Sequence, residues 1–169
     1  MSKKIVSPPN ILYKCTAEKR YRLIGEITTL LMCSNLHRKY FVDDIGTEFI
    51  PPINLNQFRL YKKNTEPIAL VTWAFLTKEL EEKYATGDYS LRPKDWNAGD
   101  RGWIIDFLAP FGHAKEVIKD LKNNIFPDNR GKAVRVDANG KIKSIYTLHG
   151  RNISKQLKKK SPKESSTLN

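Results

Sequence analysis

The chain is short of cysteine, histidine and long apolar runs, and each shortage closes a class of function. It has two cysteines, Cys15 and Cys33, in 169 residues. Their spacing matches neither a zinc ligand set nor a redox pair, so two reduced thiols are expected. No apolar run approaches the ~18 residues that a membrane-spanning helix needs. The stretch from Met1 to Pro9 has Lys3 and Lys4 but no apolar segment of the secretory kind, so a cytoplasmic location is expected. Gly99, Gly102 and Gly112 fall in no phosphate-binding pattern. His113 and Glu116, three apart on an expected helix, are two ligands at most and make no metal site. His149 ends a strand-like run with no partner visible in sequence.

Acid is also scarce: 18 Asp and Glu stand against 30 Lys and Arg, a net charge of +12. The excess sits at the ends. Residues 1–25 and 151–169 carry +5 each, which leaves +2 for the central 125 residues. Such an arrangement is the ordinary signature of solvated termini and argues against a nucleic-acid groove. It would still attract an acidic partner at low salt. What is plentiful is core material, with a hydrophobic fraction of 40% and seventeen aromatics (7 Phe, 7 Tyr, 3 Trp). Trp73, Trp96 and Trp103 are scattered through apolar or loop contexts rather than interleaved with basic residues, so they read as core. The length suits one domain.

Periodicity gives the organisation. Residues 1–14 read as an arm. Tyr21, Ile24, Ile27, Leu30 and Leu31 recur at three- and four-residue steps and predict one apolar helix face over 17–33. Pro51-Pro52 closes the segment after it. Residues 57–61 alternate polar and apolar, 62–66 make a turn, and Pro67 to Trp73 is a continuous apolar run, hence a buried strand. Thr77 is placed to cap a helix through Tyr84. Residues 87–99 read as a polar loop. Trp103 to Leu108 is a second buried strand, 114–124 a helix with Val117, Ile118 and Leu121 on one face, and 133–137 and 141–148 two strands joined by Asn139-Gly140, a strong hairpin signal. This order predicts an α+β domain with a largely antiparallel central sheet and flanking helices.

Asp106 is the one acid in the apolar run from Trp103 to Leu108, and a buried acid needs a partner. His37 follows the end of the predicted first helix. If the two met, the carboxylate would accept from one ring nitrogen and leave the other free to take a proton from a nucleophile. The plainer account is that His37 is favoured by the helix dipole and that Asp106 pairs with an arginine. Cys33, four residues before His37, is a thiolate–imidazole candidate if the helix continues, and otherwise a buried structural cysteine.

With these segments in place, the sequence resembles the RTX toxin-activating lysine acyltransferases of the hemolysin-activating type. The matching stretches are Ser34-Asn35-Leu36-His37-Arg38, Asn56-Gln57, Pro67-Ile68-Ala69 with Trp73-Ala74, and Asp95-Trp96 with Gly99-Asp100-Arg101. Trp103 with Ile105-Asp106, Ala109-Pro110-Phe111-Gly112, Phe126-Pro127-Asp128, Val134 to Asp137, His149-Gly150 and Lys155-Gln156-Leu157 continue it. The similarity runs in order over about residues 30–157, nearly without gaps.

The resemblance implies an acetyltransferase-like (GNAT-type) fold. It implies transfer of a fatty acyl group from acyl carrier protein to internal lysines of an RTX protoxin, which activates the toxin, with no bound cofactor. The expected partners are acyl carrier protein, the protoxin and a second copy of the chain, since dimers are known in the family; nucleic acid is not among them. The family's catalytic histidine and aspartate fall on His37 and Asp106, and Ser34, Glu48 and Arg101 are candidates for a polar shell or substrate contacts. At Glu48 many family members carry asparagine, so this chain has a second carboxylate there, able to bind a different polar partner. The acyltransferase domain is expected over 15–157, and a basic, disordered tail over 158–169.

The chemistry is consistent with that. A free lysine has a pKa near 10.4, so roughly one in 2,500 is neutral at pH 7, and only the neutral amine attacks a thioester. A histidine base with an aspartate to stabilise the imidazolium supplies the missing proton acceptor. Direct transfer and an acyl-histidine intermediate both fit these residues. Two other functions compete: a non-catalytic basic adaptor for an acidic protein or nucleic acid, indifferent to His37, and a thioester hydrolase built on Cys33.

Overall fold

The computed structural model describes residues 16–137 and 141–160, the last two of these as backbone only. The arm over 1–14, Cys15, the Asn139-Gly140 turn and the tail beyond 160 lie outside the described residues.

The first helix, α1, spans Ala17–Cys33, and the Thr16 hydroxyl caps it by accepting from the Lys19 N–H at 3.3 Å. Ile27, Leu30 and Leu31 form its buried face, whereas Tyr21, expected on that face, is 68% exposed. A 3₁₀ turn follows at His37–Lys39, then helix α2 (Val42–Asp44), a widened π turn (Ile45–Phe49) and helix α3 (Ile50–Asn54). Pro51 and Pro52 open α3 rather than close the segment. Their fixed φ suits a first helical turn, and the N–H they lack is one that turn leaves unpaired anyway. No apolar period betrayed these short helices.

Five strands form one sheet in the order β1 (Phe58–Lys63), β2 (Glu66–Leu76), β3 (Arg101–Leu108), β4 (Arg130–Val136), β5 (Ile142–His149). All neighbours are antiparallel except β3 and β4. The predicted α+β class and largely antiparallel sheet are therefore what the chain forms. β2 is buried on both faces, which is why its sequence reads as an unbroken apolar run. Leu70, Ala74 and Leu76 face α1, α3 and α4 (Lys78–Thr86), while Ala69, Val71 and Trp73 face α5 (Ala114–Asp120) and the π turn that continues it.

All three tryptophans are core, with Trp96 wholly buried although it lies in a segment that reads as a polar loop. Its carbonyl accepts from the Phe75 N–H, and the Phe75 carbonyl accepts from Ala98 and Gly99, so the loop is stitched to the far end of β2. A Cβ on Gly99 would run into the backbone of Leu76 and Thr77, which leaves room only for glycine there. The last helix, α6 (Arg151–Lys160), crosses the boundary expected at 158.

Glu81 of α4 ties the base of the parallel pair together. Its Oε1 accepts from the Trp103 indole N–H at 2.9 Å and from Lys132 at 3.0 Å, and its Oε2 accepts from Arg101 at 3.0 Å. Burial pushes the carboxyl up, but the bonds from Trp103 and Lys132 and the charges of Lys132 and Arg101 outweigh it, so its pKa is lowered. A depressed carboxyl stabilises above its unfolded pKa and loses that contribution in acid. Glu81→Ala should cost about 1–3 kcal/mol, chiefly by orphaning the buried indole N–H. Glu81→Gln, which can still accept from Trp103, should lose less. Urea midpoints of the two variants check this, and equal losses would move the weight to the ion pairs.

Candidate active site

Three local features bring His37 to Asp106. First, α1 stops at Cys33 because Ser34 turns extended (φ −98°, ψ 121°), and the chain doubles back so that Arg38 N–H bonds the Ser34 carbonyl at 2.9 Å. This points Cys33 to solvent, so it is neither buried nor paired with His37. Second, the 3₁₀ turn at His37 lays the imidazole over the sheet, where it is 7% exposed and meets the Tyr40 ring edge-on at 5.2 Å between centroids. Third, β3 carries a bulge. Trp73 pairs with Ile104 and Val71 with Phe107, so Thr72 alone stands opposite both Ile105 and Asp106. The extra residue reverses the alternation: Ile104 and Phe107 pack toward α5, and Asp106 turns to the α1 face.

Thr72 fills the bulge. Its hydroxyl oxygen accepts from the Asp106 N–H at 3.1 Å and its O–H donates to Asp106 Oδ2 at 3.3 Å. The other carboxylate oxygen, Oδ1, lies 3.4 Å from His37 Nε2. Asp106 is 5% exposed, and its partner is the histidine, not an arginine.

One expectation needs correcting. The second ring nitrogen of His37 is not free, because Nδ1 sits 2.7 Å from the Ser34 hydroxyl. Two tautomers satisfy this geometry. With the proton on Nε2, it points at Asp106 and Nδ1 accepts from Ser34. With the proton on Nδ1, it is donated to Ser34, and Nε2 presents its lone pair beside the carboxylate. Ser34 lies outside the cavity lining, so the face of the ring open to a substrate is the Nε2 face, shared with Asp106.

That face opens into a cavity of about 370 Å³, walled by His37, Tyr40, Glu48, Tyr84, Asp106 and apolar residues of β3, β4 and β5. Gly87, which caps α4 at φ 85°, forms part of the wall, and a Cβ there would meet the end of the Ile142 side chain. Burial first, then the charges of Asp106 and Asp44, push the Glu48 carboxyl up to about 7. The same burial, with Asp106 and Glu48 behind it, pushes the Tyr40 and Tyr84 phenols upward, so both stay protonated and can donate.

Arg101 is not brought to this group. It lies at the start of β3 in a separate open cleft with Glu81, Arg130, Lys132 and His149. Among the described residues, no group of three or more His, Cys, Asp or Glu could hold a metal ion, and no helix is long and apolar enough to cross a membrane. Sequence reasoning missed Thr72, Tyr40 and Tyr84. Thr72 carried a signal, as the lone hydroxyl in the apolar run of β2; Tyr40, in the extended link after the 3₁₀ turn, and Tyr84, on α4, carried none.

Comparison with known proteins points one way. Residues 16–149 match the model of the RTX toxin acyltransferase family. The RTX-I toxin-activating lysine-acyltransferase of Actinobacillus pleuropneumoniae is 38% identical over 140 residues, covering 83% of this chain and 81% of that protein. A protein-lysine myristoyltransferase of Escherichia coli is 36% identical over 142 residues, covering 84% and 83%. An uncharacterized protein of Synechocystis is 39% identical over 126 residues, covering 73% and 86%.

Proposed function

The chain belongs to the RTX toxin acyltransferase family, and from that premise we propose that it moves a fatty acyl group from acyl carrier protein to internal lysines of an RTX protoxin in the cytoplasm. It is a lysine acyltransferase, and its acceptor is an RTX toxin. The carrier-protein donor, the cytoplasmic setting, and a catalytic domain over residues 15–157 that works alone or as a dimer are our reading.

The observation that carries the mechanism is a single contact. An imidazole and an acid 69 positions apart meet at 3.4 Å on the wall of a cavity large enough for a side chain and a thioester. Ser34 holds Nδ1 and fixes the ring. His37 Nε2 takes a proton from the attacking amine, and Asp106 stabilises the imidazolium that results. Proton transfer of this kind needs no covalent acyl-enzyme, and we favour direct attack of the amine on the thioester.

The parallel pair supports an acetyltransferase-like (GNAT-type) reading of the fold. β3 and β4 pair only at Gly102–Gly131, Trp103–Lys132 and Ile104–Ala133, although both strands run on. Where they part, Ile104, Phe107, Ala133 and Val134 line the His37 cavity on one side and an apolar cavity of about 470 Å³ on the other. A donor arm entering from the apolar side would place its thioester at Nε2, while the lysine arrives from the His37 side.

The direct test is intact-mass analysis of an RTX protoxin incubated with acyl-acyl carrier protein and this chain. A gain of one acyl mass per modified lysine is expected. An unmodified acceptor that nonetheless binds in a salt-sensitive way would favour the adaptor. Free fatty acid without acyl-lysine would favour a hydrolase.

A further inference from the structure

The cavity beside His37 is acidic in a basic protein. Its lining has no lysine or arginine, although the chain carries 30 of them against 18 acids. One of its acids, Glu48, has no task in the mechanism above. Among the described residues no hydrogen bond or counter-ion reaches it, and the charges it feels are those of Asp106 and Asp44, both acids. It is held there by the π turn Ile45–Phe49, a widened turn of the sort often found at functional sites. Tyr40 and Tyr84, whose phenols feel its charge, are protonated and offer no charge to balance it. A half-buried carboxylate beside two others is unfavourable unless a cation visits.

Resting on the lysine-acylation reading, we propose that Glu48 receives the ammonium of the acceptor lysine and takes its first proton. Two protons must leave that nitrogen. The first passes from the ammonium to the Glu48 carboxylate and leaves a neutral amine. The amine then forms the C–N bond as the C–S bond breaks, and His37 takes the second proton and passes it to the departing thiolate. Glu48 returns its proton to water. Ammonium and thioester thus become amide, thiol and one released proton. An ordinary carboxyl is a weak acceptor for an amine proton; one held near 7 by burial, Asp106 and Asp44 is a better one, and it keeps an anionic fraction at neutral pH to draw the ammonium in.

The test measures acyl transfer to a lysine peptide from an acyl carrier protein thioester, across pH, in the wild type, Glu48→Gln and Glu48→Asp. Glu48→Gln should raise the acceptor KM about tenfold or more and leave the donor KM unchanged. It should also lose the rise in rate near pH 7 and approach the wild type only as the pH nears the range where lysine is itself neutral. Glu48→Asp should recover part of both. A folded-state pKa raised from 4.5 to about 7 means that ionised Glu48 destabilises above that range, so Glu48→Gln should unfold no earlier than the wild type at pH 8. An acceptor KM within twofold of the wild type and an unaltered pH profile overturn the assignment of Glu48 alone. A wild type that leaves every lysine unmodified overturns it together with the reading it rests on.

Discussion

His37→Ala lowers acyl transfer to lysine by roughly 10²–10⁴-fold at saturating donor and acceptor, the usual worth of a positioned base. The loss is expected in kcat rather than in either KM, because the imidazole meets the nitrogen only as it attacks. The residual rate should still rise near pH 7 as the wild type does, because Glu48 remains to take the first proton and only the acceptor of the second is lost. The side chain leaves a gap at the wall of an existing cavity, so millimolar imidazole should restore part of the activity. The fold should survive, because among the described residues the His37 side chain bonds only to Ser34 and Asp106 and belongs to none of the three hydrophobic clusters. Circular dichroism and a urea midpoint check that. A variant that keeps its activity within threefold while folded would remove His37 from the mechanism.

That this histidine and Asp106 stand out in the sequence at all has a physical reason. Asp106 interrupts a run that must be buried, and a charge placed where charge is costly advertises itself. The long periodic elements are legible for the same reason: α1 and β2 each bury whole faces, and their apolar positions repeat. The segment between His37 and Asn54 is not legible, since its turns are too short to show a period and its helix begins on two prolines. The bulge is hidden too. An insertion in β3 relative to β2 depends on which residue of each strand faces the other, and alternation within β3 alone would send Asp106 to the wrong face. Ser34 was visible as a candidate, but its hold on Nδ1 depends on how α1 ends, which is a matter of one extended residue.

That hold changes what Asp106 is expected to do. A carboxylate that fixed the tautomer would, when neutralised, leave the base in the wrong protonation state, a loss near 10⁴ in the serine-protease case. Here Ser34 can fix the tautomer, and at the transfer of the second proton Asp106 acts on the charge that His37 acquires. Asp106→Asn should therefore cost less, about 10- to 150-fold in kcat, the range of one hydrogen bond to a charged group. That effect should vanish when His37 is absent, so at pH 8 and above, where Glu48 is ionised with or without Asp106, His37→Ala and the His37→Ala/Asp106→Asn pair should agree within threefold. The neutral side chain should also let the Glu48 carboxyl fall from about 7, because Asp106 is the larger of the two charges that hold it up. A carboxyl-labelled NMR titration of Glu48 reads that shift apart from catalysis. If the double variant were a further hundredfold slower than His37→Ala, Asp106 would be acting on the substrate itself, as a second anion for the lysine, and the order of the two proton transfers would have to be redrawn.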